Sequence, residues 1–194
     1  MSPATHYLLG WLVANANGFT RPERAAITLA AVVPDLDGLG IIPELLTRHS
    51  ARPLNWFSDY HHWLGHNLWF ALFVAAIGSL IATRKWKTAL FVLLSFHLHL
   101  LCDVIGARSP DGEQWPISYL APFSNAWQWS WSGQWALNAW PNFLITAVAL
   151  TATFYLAWSR GFSPLELCSQ KADAALVQAL RQRFSRPKAL SPGA

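Results

Sequence analysis

Apolar runs alternate with short polar segments along this chain, and the polar segments differ in kind. Residues 5–17 read as a short helix, with Pro3 suited to its start and Asn17-Gly18 to its stop. A polar stretch holding Arg21 and Arg24 follows, then an apolar helical segment over 25–33 that ends at Pro34-Asp35-Leu36-Asp37-Gly38. That second helix is about ten residues, too short for a bilayer, which takes about 20. Residues 41–47 fit one or two helical turns, and 49–59 read as a loop. Tyr60-His61-His62-Trp63-Leu64-Gly65-His66 leads into an uncharged run over 67–83, near the length of a spanning helix, closed by Arg84-Lys85-Trp86-Lys87. A helix over 88–102 then returns to Asp103. Residues 105–133 form a long segment rich in Trp, Ser, Gly and Pro, and a loop of that length in a compact domain is usually functional. The uncharged run 135–158 is the strongest transmembrane candidate. Residues 164–184 read as an amphipathic helix with Lys171, Arg181 and Arg183 on its polar side, followed by a basic tail over 186–194.

Because successive helices run in alternating directions, this pattern sorts the polar groups to two ends. One end collects His6, Asp35, Asp37, His61, His62, His66, His99 and Asp103; the other collects the Arg and Lys loops. The sharpest case is Phe96-His97-Leu98-His99-Leu100-Leu101-Cys102-Asp103, inside an otherwise apolar helix. Burying such groups is costly unless they pair or bind a metal. His99 and Asp103 are spaced i, i+4, so they share a helical face and can chelate one cation. The plainer alternative is a hydrogen-bonded pair stitching two helices. His97 lies on the other side of that helix and reads as a packing or supporting histidine. His62 and His66 are also spaced i, i+4, whereas His61 and His66 converge only if the helix begins between them. Asp35 and Asp37 fit an ordinary helix stop with side-chain turns. Beside so many histidines, either can instead bridge two metals or act as general base. Bundles build metal sites from side chains on facing helices. A mixed nitrogen and oxygen set suits zinc, manganese or iron better than calcium or magnesium. His49 receives no role, and Arg108 is the one basic residue near Asp103 able to meet an anionic group.

Composition turns the helices into membrane helices. The 194 residues are 53% hydrophobic and 12% charged, against about 25% charged in soluble domains. Twelve tryptophans fit a protein of the bilayer interface, with Trp115, Trp127, Trp129, Trp131 and Trp135 as an aromatic belt. The net charge of +4 is concentrated in short loops and the tail, which suits anionic lipid and not nucleic acid. Cys102 and Cys168 are too few for a disulfide framework, and no secretory signal is visible. A Gly-rich phosphate loop, a Gly-x-Ser-x-Gly elbow, His-Glu-x-x-His and CxxC are all absent.

The order Thr5-His6-Tyr7-Leu8-Leu9-Gly10, Pro34-Asp35-Leu36-Asp37, His61-x4-His66-Asn67, His99-Leu100-Leu101-Cys102-Asp103, Gly112 with Trp115-Pro116-Ile117, and Ala121-Pro122-Phe123-Ser124 resembles the YdjM-like (DUF457) family of bacterial inner-membrane metal-dependent hydrolases. The resemblance covers roughly residues 5–124 and implies a distant likeness to zinc phospholipase C and P1-type nucleases, all-helical enzymes that cleave phosphodiesters with zinc. Carried over, it puts His6, Asp35, Asp37, His61, His66, His99 and Asp103 in metal-ligand roles. The family's second motif usually reads His-Arg-Gly-x-Thr-His-Ser; here the Arg, Thr and Ser are replaced. No His follows His99, so one or two metal ions are expected, not three.

Together these readings predict an all-α, membrane-embedded helical bundle with a phospholipase C/P1 nuclease-like core. Residues 1–160 would form the hydrolase domain, and 161–194 a basic amphipathic helix and tail. The expected function is metal-dependent hydrolysis of a lipid or lipid-linked ester or phosphodiester, with zinc as cofactor (manganese or iron as substitutes) and Asp37 and Asp35 as catalytic carboxylates. By the positive-inside rule the site faces the extracytoplasmic surface of the inner membrane. The alternatives are a non-catalytic protein that binds metal or a partner, and a metal or proton transporter.

Overall fold

The computed structural model describes residues 1–109 and 112–184, so the expected basic tail lies outside the described residues. Among the described residues the fold is all-α, with one small hairpin. In chain order the elements are α1 (Pro3–Ala14), α2 (Arg21–Ala30), a 3-10 segment (Val33–Gly40), α3 (Ile41–Thr47), α4 (Trp56–Tyr60), α5 (Leu68–Leu80) and α6 (Lys85–Gly106). Then come β1 (Ile117–Ser118), β2 (Gln128–Trp129), α7 (Trp140–Arg160), a 3-10 turn (Pro164–Leu167) and α8 (Gln170–Arg183). β1 and β2 pair antiparallel, Ile117 opposite Trp129.

The chain divides into two compact units, Met1–Ala149 and Leu150–Ala194. In the first, α1 packs on α2 and α6, and α5 packs on α6. Ser2 caps α1 by accepting from the Thr5 amide at 3.2 Å, with Pro3 in the first turn. Asn67 caps α5 by accepting from the Phe70 amide at 2.9 Å. Its amide nitrogen also donates to the carbonyls of Trp63 (3.0 Å) and Leu64 (2.8 Å), which ties the histidine-rich loop to the helix it precedes. One apolar cluster joins Ala14, Phe19, Ile27, Ala30, Ala75 and Val92; another joins Ala71, Phe96, Leu100, Ile117 and Tyr119. Gly10 lets α1 approach α2, since a Cβ there would lie 2.6 Å from Ala31 Cβ and 2.8 Å from the Thr28 carbonyl oxygen.

At the far end from the histidines, Glu23 is fully buried and saturated. It accepts from the Thr20 amide (2.7 Å), the Thr83 hydroxyl (2.8 Å) and the Arg84 amide (2.9 Å). The Arg/Lys turn between α5 and α6 is thereby locked to the start of α2.

Among the described residues two helices are long and apolar enough to cross a membrane, α6 and α7; α2 and the 33–47 stretch qualify only if taken as one span bent by 46°. The run over 67–83, expected to be near spanning length, forms a helix of only 13 residues. At 1.5 Å per residue it reaches about 20 Å, against about 30 Å of hydrocarbon. Helix α6, by contrast, is longer than its apolar pattern suggested, 22 residues from Lys85 to Gly106.

In the second unit, α8 packs on the Pro164–Leu167 turn. Asp173 accepts from the Ser163 amide at 2.5 Å, and Arg181 Nε donates to the Trp158 carbonyl at 3.1 Å. Arg181 is therefore partly drawn inward, while Lys171 and Arg183 are exposed.

Candidate metal centre

Four segments deliver His and Asp side chains to one place. His6 comes from the first turn of α1 and is fully buried. Asp35 and Asp37 sit on the 3-10 segment that Pro34 opens after α2. A 3-10 helix turns about 120° per residue, so residues two apart face different directions. Asp35 accordingly faces the ring nitrogens of His99 and His66, with Oδ1 at 3.7 Å and 4.0 Å from their Nε2 atoms. Asp37 reaches the outer side of the histidines. Its Oδ1 accepts from His61 Nδ1 at 2.7 Å, and its Oδ2 accepts from His66 Nδ1 at 3.0 Å and from the Gly65 amide at 3.0 Å.

The loop between α4 and α5 is not helical, so the i, i+4 argument for His62 and His66 does not apply. They meet through a backbone reversal at His62, which takes φ +66°. That left-handed conformation is uncommon for a residue with a Cβ. It sends adjacent imidazoles to different partners: His61 to Asp37, and His62 toward Asp103, whose Oδ2 lies 4.0 Å from His62 Nε2. Gly65 permits the return, because a Cβ there would lie 2.3 Å from the Pro34 carbonyl oxygen.

His99 and Asp103 share a face of α6 as their spacing predicts, with Asp103 Oδ2 3.0 Å from His99 Nε2. His6 Nε2 donates to Asp103 Oδ1 at 3.1 Å, and the Met1 amino group also bonds that oxygen.

The proton positions at the centre follow from the periphery. His99 Nδ1 donates to the Ala31 carbonyl at 2.9 Å, and His66 Nδ1 donates to Asp37. In the neutral rings both Nε2 atoms then carry lone pairs, and they face each other at 3.1 Å. Asp103 Oδ2 lies 3.0 Å from one and 3.6 Å from the other and, despite the short distance, makes no hydrogen bond. Asp35 Oδ2, His6 Nδ1 and His62 Nδ1 are likewise buried without hydrogen-bond partners. Buried polar atoms are rarely left so. Among the described residues two groups have ligand atoms all within 4.8 Å of one another: His6, Asp35, His99 and Asp103, and His62, His66 and Asp103. This donor set and its orphaned atoms fit a cation.

Of the seven residues taken from the sequence as ligands, five fall in these groups: His6, Asp35, His66, His99 and Asp103. Asp37 and His61 lie just outside them, bonded to each other. His62 falls within; its i, i+4 spacing with His66 pointed to it, although the loop that carries both is not helical. Burial tends to push the His66 imidazole down, but the neighbouring carboxylates of Asp103 and Asp37, the latter hydrogen-bonded to it, outweigh that and hold it at about 9. His62 is pushed well down by burial and by neighbouring His66.

The surrounding residues are also placed. His97 donates to the Leu93 carbonyl at 2.7 Å and meets the Tyr119 hydroxyl at 2.8 Å beneath the hairpin, away from the cluster. Arg108 donates to the Ser132 carbonyl at 2.9 Å. Of the five belt tryptophans, Trp127 and Trp131 are exposed. Trp129 stacks on Tyr119, Trp135 bonds Asn142, and Trp115 stands edge-on to His61 and His62.

These features define a helical membrane protein with a buried His/Asp cluster of metal-binding composition at one end of its bundle. The chain belongs to the YdjM inner membrane protein family, whose model matches residues 1–171. No curated protein and no solved structure matches it.

Proposed function

We propose that this protein is a membrane-bound metal-dependent hydrolase acting on a phosphodiester or ester bond of a lipid or lipid-linked substrate. The observation that carries the reading is the convergence of three potential ligand atoms, His66 Nε2, His99 Nε2 and Asp103 Oδ2, at 3.0–3.6 Å from one another. One proton can be shared between two such atoms; three or more call for a cation. His6, Asp35, His99 and Asp103 would hold one ion and His62, His66 and Asp103 a second, with Asp103 common to both. Zinc suits these ligands best, and manganese or iron would substitute. Such an ion lowers the pKa of bound water and stabilises charge developing on a phosphoryl or carbonyl oxygen.

The chain's own residues divide the remaining work. Asp35 has the most exposed carboxylate of the cluster (18%) and an unengaged Oδ2, so it is placed to take a proton from water. Asp37 has both oxygens occupied and acts by orienting His61 and His66. Placing the site at the extracytoplasmic face is supported by the Arg84–Lys87 turn at the opposite end of α6. The kinship with zinc phospholipase C and P1 nuclease rests on the motif order alone.

The test is elemental analysis of the purified protein, followed by Asp103→Asn. The expected result is one or two zinc equivalents in the wild type, lost in the variant together with hydrolysis of phosphodiester lipids. Metal-free wild-type protein sinks the metal reading. Metal without turnover on any lipid class moves the protein to the binding or transport readings.

A further inference from the structure

The 33–47 stretch has the opposite polarity to a water-facing surface. Its three carboxylates turn toward other parts of the chain. Asp35 faces His99 and His66, and Asp37 holds His61 and His66. Glu44 accepts from the Phe57 amide (3.0 Å), the Ser58 amide (3.1 Å) and the Ser58 hydroxyl (3.0 Å). The large exposed side chains of the stretch are instead Leu36, Leu39, Ile42, Leu45 and Leu46. Residues three apart eclipse one another on a 3-10 helix, so Leu36 and Leu39 line up with Ile42 in the first turn of α3. Leu45 and Leu46 extend that row, and Arg48 and Arg52, both exposed, follow it.

We propose that this row is seated in the bilayer leaflet that surrounds the cluster's end of the bundle, with its aliphatic side chains against lipid acyl chains and Arg48 and Arg52 at the lipid phosphates.

Depth supports the assignment. His99 lies about 21 Å along α6 from Lys85 at 1.5 Å per residue, and Asp35 Oδ1 is 3.7 Å from its Nε2. The row therefore starts within the thickness of about 30 Å of hydrocarbon, not above it. From Leu36 to Leu46 it runs about 17 Å. Even bent by 46° from α2, that length carries Arg48 to the edge of the hydrocarbon. The flanking residues select lipid over a second protein as the occupant. Guanidinium groups pair with phosphate in a forked geometry. Trp56 and Tyr60, exposed just beyond the arginines, are of the types that favour the head-group layer. Membership of an inner membrane protein family supplies the bilayer. The segment that carries Asp35 and Asp37 then has the cluster on one side and lipid on the other, which puts the cluster below the phosphate plane.

Depth-dependent fluorescence quenching tests this on the full chain in vesicles of phosphatidylethanolamine and phosphatidylglycerol. Leu39→Cys, Leu46→Cys and Ser50→Cys are labelled singly with an environment-sensitive dye in a Cys168→Ser background; Cys102 is buried. Leu46 is 81% exposed, so a label there displaces no packed side chain. At the Leu39 and Leu46 positions, emission is expected to be lost to nitroxides on the acyl chains and kept in iodide present on both sides of the bilayer. At the Ser50 position iodide should quench. Iodide quenching at all three positions puts the row in water and overturns the proposal. Quenching by neither agent at Leu39 and Leu46 means that a second copy or another protein covers the row, which overturns it equally. Arg48→Glu combined with Arg52→Glu should bring the Leu46 position within reach of iodide, and unchanged quenching there overturns the phosphate contacts.

Discussion

At the residue scale, the decisive fact about His66 is the group on its far side. Asp37 accepts a hydrogen bond from Nδ1 and so turns Nε2 toward His99. A carboxylate behind a ligating histidine raises its basicity and fixes its orientation, and losing it typically costs 10–100-fold in metal affinity. Asp37→Asn should therefore weaken metal binding by about that factor without abolishing it. The pH dependence follows from the same contact. With its pKa at about 9, His66 is protonated at neutral pH in the metal-free protein, and that proton must leave before metal binds. Affinity should rise by about tenfold per pH unit from 7 toward 9 and level off above. In Asp37→Asn the plateau should start at lower pH, because a group that raises the His66 pKa is gone. Titration of metal binding across that range checks both; a flat profile would remove His66 from the ligand set.

At the scale of elements, the site depends on how closely the loop after α4 approaches the segment after α2. Gly65 passes over the Pro34 carbonyl where a Cβ would sit at 2.3 Å, and its amide bonds Asp37. Gly65→Ala should force the two segments apart. A backbone contact cannot yield as a flexible side chain does, so a loss of about 1–3 kcal/mol is expected. Metal content should fall with it, because Asp35 and His66 lie on the two displaced segments. Thermal unfolding with and without added zinc separates the effects: a lower Tm that zinc no longer raises is the expected outcome.

At the scale of the whole molecule, α6 carries groups of opposite sign at its two ends. Asp103 lies near the C-terminal end of that helix and Lys85 and Lys87 at its start. The helix spans about 33 Å, enough to put the two ends at opposite membrane surfaces. If the basic turn is cytoplasmic, a cysteine placed at Trp86, which is 77% exposed, should resist a membrane-impermeant thiol reagent in intact cells. It should react after permeabilisation, in a background lacking the exposed native Cys168. Labelling from outside reverses the orientation and moves the site to the cytoplasmic face.

The sequence alone determined the all-α class, the membrane character and the set of side chains that converge. Helix periodicity and the alternation of polar ends are local properties, and so is the i, i+4 pairing of His99 with Asp103, which survives intact in α6. Tertiary structure decided the division of labour within the set. Asp35 and Asp37 are chemically identical, and only the 3-10 turn that separates their directions makes one face the cluster and the other brace it. His61 and His62 are neighbours of one type, and only the left-handed backbone at His62 sends them to different partners. The length of α5 was equally hidden, because an uncharged run records where a helix is allowed and not where packing ends it. Which lone pairs meet depends on which carbonyl and carboxylate lie behind each ring. Ala31 and Asp37 come from distant parts of the chain, and no spacing rule within α6 or its neighbours could have named them.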